Sequence, residues 1–133
     1  MQYVDASALL KVHLDEPDRD TARQILDSDP AWASGRHTLV EVRRNLSRGL
    51  PPLDVEQARA IFRTQWERMG VVELDRGVCE RAAELAERTG SRTLDALHLS
   101  AAELVGDGTL PFVTFDRRLA EAARSLGWTV LGA

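Results

Sequence analysis

Cysteine and lysine are almost absent from this 133-residue chain, and no long apolar run occurs in it. The single cysteine, Cys79, cannot form an internal disulfide or a multi-cysteine zinc site, and its helical surroundings predict a small, half-buried packing residue. No apolar stretch approaches the roughly 20 residues needed to cross a bilayer, which excludes a membrane function. A first strand at Gln2 leaves no signal peptide before it, so we expect a cytoplasmic protein.

An excess of positive charge is also missing, because the formal net charge is −4. This argues against a simple electrostatic binder of nucleic acid, which carries a basic surface. If four carboxylates converge in one pocket, however, they account for the whole deficit and leave the rest of the molecule near neutral. The location of the acids therefore matters more than their sum.

The 44% apolar and 29% charged residues are typical of a soluble globular protein, and the length suits one domain spanning 1–133. Strands and helices are predicted to alternate. Predicted strands cover 2–5, the region of Trp32, 71–74, 112–114 and 128–131. Predicted helices cover 8–14 with Ser7 as N-cap, a segment from about 18 or 20 to 29, 38–49 capped by Thr38, 54–69, 76–89, 93–104 and 116–126. This order predicts an α/β fold with a parallel sheet covered on both faces, and the helix at 93–104 is expected to be buried.

Four acidic residues fall where strands end or helices begin, which is where such a fold collects ligands. Asp5 and Asp116 follow predicted strands, and Glu41 and Asp95 lie early in predicted helices. A cluster of carboxylates suits Mg²⁺ or Mn²⁺, so the four together predict a metal site.

Each acid also has a structural explanation that the sequence leaves open. Asp5 and Asp116 could cap the helices that follow them, and Asp95 could complement a helix dipole. Glu41 could belong to a capping box with Thr38. Capping and metal ligation are compatible, and the group of four is more specific than any member.

Other polar residues have smaller predicted roles in the site. Ser7 and Thr114 each lie two residues from an acid and could orient a carboxylate. His98 is expected to be a core histidine with its hydrogen bonds satisfied, and His13 and His37 are expected at the surface.

Four segments of the chain, taken in their order and context, resemble PIN-domain proteins, specifically VapC-type toxins of type II toxin-antitoxin pairs. The matching segments are residues 3–9 (YVDASAL) with Lys11, 39–42 (LVEV), 94–99 (LDALHL) and 113–119 (VTFDRRL). The resemblance covers essentially the whole chain. It implies a three-layer fold with a five-stranded parallel sheet, in which Asp5, Glu41, Asp95 and Asp116 bind Mg²⁺ or Mn²⁺.

The resemblance also implies an activity and partners. We expect a metal-dependent endoribonuclease that hydrolyses phosphodiester bonds through a metal-activated water. Ser7 and Thr114 would be auxiliary groups, and Glu41 would be either a ligand or the base. A homodimer and a VapB-like antitoxin that blocks the pocket are expected, while the RNA target and the number of ions stay open.

Two other functional classes were compared with this expectation. Phosphoryl transfer on an aspartate after the first strand requires a late lysine, yet Lys11 is the only lysine, and no phosphate-binding Gly-x-x-x-x-Gly-Lys loop occurs. A catalytically silent PIN-like module that acts only by binding proteins is the remaining alternative.

Overall fold

The computed structural model describes residues 1–133, and it contains five strands and seven helices. The strands are β1 (Gln2–Val4), β2 (Trp32–Gly35), β3 (Gly70–Val72), β4 (Pro111–Thr114) and β5 (Thr129–Gly132). The helices are α1 (Ala6–Lys11), α2 (Arg19–Ser28), α3 (His37–Gly49), α4 (Pro52–Arg68), α5 (Arg76–Thr89), α6 (Thr93–Val105) and α7 (Arg117–Ser125).

All five strands form one parallel sheet in the order β3-β2-β1-β4-β5. β1 lies in the centre, where Tyr3 pairs with Ala33 of β2 on one side and with Phe112 of β4 on the other. The predicted fold class is confirmed. Because the strands are parallel, their carboxyl ends meet at one edge of the sheet, and residues that follow β1 and β4 come close together.

Alternation along the central strands produces two cores, one on each face of the sheet. Val4 and Val113 point to the face covered by helices α1, α3 and α4, where Leu9, Val42, Leu46 and Phe62 are also buried. Tyr3 and Phe112 point to the opposite face, which packs against residues of α5, α6 and α7. The three layers that the sequence predicted are thus helices, sheet and helices.

Helix α6 has more buried residues than any other helix, as its apolar sequence predicted. Six of its residues are buried, namely Ala96, His98, Leu99, Ser100, Ala101 and Ala102. Leu94 and Leu104 nevertheless remain largely exposed near its two ends. None of the helices combines the length and the apolar character needed to cross a membrane.

Two predicted helix caps are wrong. Helix α1 begins at Ala6 with Asp5 as its N-cap, so Ser7 lies inside the helix. Helix α3 begins at His37, one residue before the predicted cap, and the hydroxyl of Thr38 bonds to that of Ser34 at 2.7 Å. Since Thr38 is already helical, it cannot form a capping box with Glu41.

Three predicted burial states are also wrong. Cys79 is exposed and not half-buried, because it lies on the outer face of α5. His37 is buried, because its ring packs against that of His98 with centroids 4.0 Å apart. His13 is partly buried and not at the open surface.

Candidate metal centre

Asp5 is a buried carboxylate at the carboxyl end of the central strand, with only 3% of its surface exposed. Its Oδ1 accepts the amide of Ala8 at 3.0 Å, which caps helix α1, and the hydroxyl of Ser7 at 2.7 Å. Its Oδ2 accepts the hydroxyl of Thr114 at 2.7 Å. Burial raises the pKa of Asp5, while these hydrogen bonds and nearby His98 oppose the increase. The side chain is held in one orientation.

Ser7 and Thr114 connect the ends of β1 and β4. The Ser7 hydroxyl accepts the amide of Phe115 at 2.8 Å, and the Thr114 hydroxyl accepts the amide of Asp116 at 3.0 Å. Each hydroxyl therefore donates to Asp5 and accepts from the segment that carries Asp116. The two residues predicted as auxiliary groups fix one candidate ligand relative to another.

Asp116 lies at the N-terminus of α7, where it is exposed. Its Oδ1 accepts the amides of Arg118 and Leu119 at 2.9 and 3.2 Å and caps the helix. Its Oδ2 makes no hydrogen bond within the chain. Capping thus occupies one oxygen and leaves the other free for a cation.

Glu41 is oriented by a buried chain of polar groups instead of by a capping box. Its Oε1 lies 2.9 Å from Nε2 of His98, and Nδ1 of His98 lies 2.8 Å from the hydroxyl of Tyr3. Because an ionised carboxylate can only accept, His98 donates from Nε2 and accepts the Tyr3 hydroxyl at Nδ1. His98 is buried as predicted, but it is also a direct partner of a candidate ligand.

Asp95 is half-buried in the first turn of α6, and its pKa is raised to about 6. Burial is the main cause, and the charges of Asp116 and Glu41 add to it, whereas Arg92 and Arg118 oppose it. Burial and the charge of Asp116 also raise the pKa of Glu41. The carboxylates of Asp95, Glu41 and Asp116 therefore repel one another, which shows that these three share one region.

We call the region of Asp5, Glu41, Asp95 and Asp116 the acid pocket. Its residues come from four different parts of the chain, and the fold brings them to the carboxyl edge of the sheet. No three of these carboxylates have ligand oxygens within 4.8 Å of one another. Three of them could bind one ion only after side-chain movement or through the water ligands that Mg²⁺ retains, and a divalent charge would offset the mutual repulsion. The residues present fit Mg²⁺ or Mn²⁺, and their role as ligands remains a prediction.

His37 is the residue that the sequence interpretation missed. It lies one helical turn before Glu41 on α3, and its Nε2 is 3.8 Å from Glu41 Oε1. Burial and the neighbouring His98 lower its pKa to about 4. The Leu94 carbonyl lies near enough to oppose this decrease, but neither ring nitrogen makes a hydrogen bond of acceptable geometry. The i, i+4 spacing of His37 and Glu41 was the one available signal.

A polar cavity of about 370 Å³ adjoins the acid pocket and shares Asp95 with it. Arg92 and Arg118 contribute its positive charge, and Ser91 and Ser125 contribute hydroxyl groups. Guanidinium groups bind phosphate oxygens in a bidentate manner. Glu121 also lines the cavity, so its two arginines face two acids, and a phosphate bound there would contact the arginines.

Comparisons with known proteins agree with this fold. A family model described as "PIN domain" matches residues 2–125. Ribonuclease VapC46 of Mycobacterium tuberculosis is 32% identical over 130 residues, which cover 97% of this chain and 95% of the relative. The chain belongs to the PIN-domain family, among relatives named VapC ribonucleases.

Solved structures show the same fold. One is Mycobacterium tuberculosis VapC20, described as a sarcin-ricin loop cleaving toxin, with a TM-score of 0.75 and 20% identity over 92% of this chain and 95% of that one. Another belongs to a toxin-antitoxin complex from Klebsiella pneumoniae, with a TM-score of 0.68 and 19% identity over 87% of each chain. The resemblance inferred from the four sequence segments is confirmed.

Proposed function

We propose that the chain is a Mg²⁺- or Mn²⁺-dependent endoribonuclease, and that it is the toxin of a VapBC-type toxin-antitoxin pair in the cytoplasm. The observation that carries this proposal is the acid pocket, where the charges of Asp116 and Glu41 raise the pKa of Asp95 and the charge of Asp116 raises the pKa of Glu41. Family membership supports the reaction class, because relatives of 30–32% identity over nearly the full chain are named ribonucleases.

Asp5, Asp95 and Asp116 are the chief ligands in this proposal. When bound, the cation neutralises phosphate charge and lowers the pKa of a water so that it becomes nucleophilic near neutrality. Asp5 is the fixed point of the set, since three donors hold its two oxygens. Asp95 and Asp116 are less constrained and can adjust to the ion.

Glu41 is either a further ligand or the base that accepts a proton from the attacking water. Its Oε1 is engaged by His98, so Oε2 is the oxygen available for either role. Attack in line with the leaving group breaks the bond from phosphorus to the 3′ oxygen. The products would carry a 5′ phosphate and a 3′ hydroxyl.

Arg92 and Arg118 are the residues that we expect to contact RNA phosphates. Their positive charges lower the pKa of Asp95, and both residues line the adjoining cavity. Their positive charge offsets the acidic pocket locally, which allows a polyanion to approach a chain whose net charge is −4. Replacing either arginine by glutamine should weaken RNA binding more than metal binding.

Incubation of purified protein with total RNA tests the activity. Samples contain Mg²⁺, Mn²⁺ or EDTA, and Asp5→Asn protein is the matched variant because asparagine can still cap α1. We expect discrete cuts with the metals, and none with EDTA or with Asp5→Asn. Sequencing of the ends identifies the substrate, and cleavage at the wild-type rate by Asp5→Asn would refute the assignment.

A cognate antitoxin and a second copy of the chain are the proposed protein partners. A groove of about 560 Å³ between α2 and α4 suits an amphipathic segment, because apolar Leu26, Trp32 and Ile61 lie beside charged Arg19 and Arg23. Three buried polar atoms there have no partner within the chain, namely His13 Nε2, Arg19 Nε and Gln65 Oε1. A partner that supplies hydrogen bonds to these atoms would be favoured.

Co-expression with any small reading frame found next to the gene tests the antitoxin. We expect a complex that purifies intact, no RNA cleavage by it, and loss of the complex in an Ile61→Glu variant. A Leu104→Glu variant is the control, since Leu104 is also an exposed aliphatic residue, more exposed than Ile61, but lies on α6. Light scattering of the free protein should give twice the mass of one chain.

A further inference from the structure

Beside the acid pocket lies a different set of ligand atoms, rich in nitrogen. The side chains of His37, Glu41 and His98 each offer one ligand atom, and these atoms all lie within 4.8 Å of one another. No other group of three histidine, cysteine or acidic side chains in the chain is this close. We call these three residues the histidine site.

The distances in the histidine site are near those of a tetrahedral zinc centre. Zinc bonds of 2.0–2.1 Å at tetrahedral angles separate two ligand atoms by about 3.4 Å. The measured separations from Glu41 Oε1 are 2.9 Å to Nε2 of His98 and 3.8 Å to Nε2 of His37. Small side-chain adjustments would therefore bring the atoms to bonding positions.

His37 gives an independent indication of a ligand. It is 92% buried, and both of its ring nitrogens lack a hydrogen-bond partner. Buried polar groups are normally paired, because an unpaired one costs about 1–3 kcal/mol. Its ring is also held in place, since a Cβ atom on Gly35 would lie 2.6 Å from Cε1 of His37. A metal bond to Nε2 would satisfy the unpaired group.

His98 is already supported in the manner of a zinc ligand. The Tyr3 hydroxyl lies on its Nδ1, and such a partner on the second ring nitrogen fixes the tautomer of a metal-bound imidazole. In the metal-bound form the single ring proton would lie on Nδ1 and be donated to the Tyr3 oxygen. The Tyr3 proton can then turn toward the hydroxyl oxygen of Ser34, which lies close to it.

We propose that His37, Glu41 and His98 bind Zn²⁺, and that zinc on Oε1 makes the Glu41 carboxylate a weaker base and ligand at Oε2 and thereby inhibits RNA cleavage. Two imidazoles and one carboxylate, with a fourth position open to water, are typical of Zn²⁺, whereas Mg²⁺ prefers oxygen ligands only. Zinc binding at this site does not depend on the proposed function, but inhibition of RNA cleavage rests on the proposed function.

Competition for Zn²⁺ with a chromophoric chelator, in saturating Mg²⁺ to fill the acid pocket, tests the binding. Wild type should bind one Zn²⁺ per chain, and His37→Gln should bind it about 100-fold more weakly, because even partners of zinc ligands contribute 10–100-fold. His13→Gln is the matched control, since its Nε2 is also buried and unpaired but far from Glu41. Unchanged affinity in His37→Gln, or an equal loss in Asp116→Asn, would overturn the site.

Imidazole NMR shifts supply a second measurement on unaltered protein, in case His37→Gln does not fold. The chain has three histidines, so the His13→Gln spectrum assigns the remaining two. Zn²⁺ should shift the ring signals of His37 and His98 and leave that of His13 in place. Zinc that shifts none of them, or His13 alone, would contradict the proposal.

Cleavage assays then test the regulation. Micromolar Zn²⁺ should inhibit wild type and His13→Gln in saturating Mg²⁺, and His37→Gln should resist inhibition. Zinc that binds at the site without slowing cleavage would refute the regulation alone. If no sample cleaves RNA with Mg²⁺, the proposed function fails and the inhibition with it, while the binding and NMR data still decide the zinc site.

Discussion

Asp116 combines two duties in one side chain, and the two can be separated by substitution. Oδ1 caps α7, and Oδ2 is free for a cation. Asparagine caps a helix about as well as aspartate, but it is a much weaker metal ligand. Asp116→Asn should therefore keep the stability and lose the metal, whereas Asp116→Ala should lose both.

For this first prediction, Asp116→Ala should cost about 1 kcal/mol of unfolding free energy in EDTA and Asp116→Asn a few tenths. Urea unfolding measures the free energy, and the paramagnetic signal of free Mn²⁺ measures binding. We expect weaker Mn²⁺ binding in both variants. Wild-type Mn²⁺ affinity in Asp116→Asn would show that Asp116 is a cap only.

Thr114 is the residue through which the ends of β1 and β4 are joined to each other. Its hydroxyl donates to Asp5 Oδ2 and accepts from the Asp116 amide, and it is fully buried. Valine has nearly the same shape but can replace neither bond. The loss of stability in Thr114→Val would then include two groups left without this partner, Oδ2 of Asp5 and the amide of Asp116.

As a second prediction, Thr114→Val should lower the unfolding free energy by about 1–3 kcal/mol. It should also lower the rate of RNA cleavage by about 10–100-fold, because Asp5 loses the donor that orients it. Thr64→Val is the control, since Thr64 is exposed and bonds only within α4. Equal effects of the two substitutions on cleavage would contradict a positioning role.

Asp95 makes the stability of the metal-free protein depend on pH. Its folded pKa of about 6 exceeds its ordinary value of 3.8. Between these values the folded state retains a proton that the unfolded state releases, so stability falls as the pH rises through this window. Bound metal would remove the effect, because it favours the charged carboxylate.

The third prediction follows from this decrease in stability with rising pH. In EDTA, Asp95→Asn should be more stable than wild type at pH 7, and its advantage should shrink toward pH 4. Asp107→Asn should instead be less stable than wild type by a constant amount from pH 4 to pH 7, because hydrogen bonds from Thr109 lower the pKa of that exposed acid below 3.8. Melting curves from pH 4 to pH 7 measure both, and an Asp95→Asn advantage that does not change with pH would contradict the account.

Among the elements, those with local signals were predicted well. Helix α5 has the predicted bounds, because Asp75 caps its start and Gly90, at φ +74°, ends it. Strands β1 and β4 are short, but an acid follows the apolar residues of each, Asp5 after β1 and Asp116 after β4. The edge of the sheet at which the acid pocket lies could therefore also be predicted.

Contacts between distant elements could not be predicted. Glu41 satisfied a capping pattern in sequence, but α3 begins one residue early and Glu41 meets His98, 57 residues further along the chain. The sequence around His37 indicates an ordinary polar helix residue, and its burial follows only from the packing of α6 against it. The four acids therefore follow from local pattern, and the histidines around Glu41 follow only from packing.

Strand β5 supports the site through its last residue. Gly132 has φ +109°, and a Cβ atom there would lie 2.4 Å from the Thr114 carbonyl oxygen. The same oxygen accepts the amide of Ala133 at 2.8 Å. Gly127 has a similar φ of +90° but open space around it, which makes it a matched reference.

Our fourth prediction compares the two glycines. Gly127→Ala should cost about 1–2 kcal/mol for backbone strain alone, and Gly132→Ala should cost more than that or detach the end of β5. Urea unfolding measures the cost, and amide hydrogen exchange at Ala133 reports detachment. Gly132→Ala with slow exchange and the smaller cost would show that the close approach to Thr114 is unimportant.

The whole molecule places different surfaces around one sheet. The acid pocket lies beyond the carboxyl ends of the strands, with Arg92 and Arg118 beside it. The groove between α2 and α4 includes Trp32, the first residue of β2, so it lies toward the opposite end of that strand. A partner in the groove and RNA at the pocket would therefore use different parts of the surface.

The central claim is that the acid pocket cleaves RNA with the help of a divalent cation. The most direct test measures the cleavage rate of one RNA, identified from the total pool, against Mg²⁺ concentration for wild type, Asp116→Asn and Glu56→Gln. Glu56 is an exposed acid on α4 with only a weak ion pair, so its loss changes the net charge alone. We predict Mg²⁺-dependent cleavage by wild type and Glu56→Gln, and a rate lower by about 100-fold or more for Asp116→Asn. Equal rates for wild type and Asp116→Asn, or cleavage that persists in EDTA, would contradict the account.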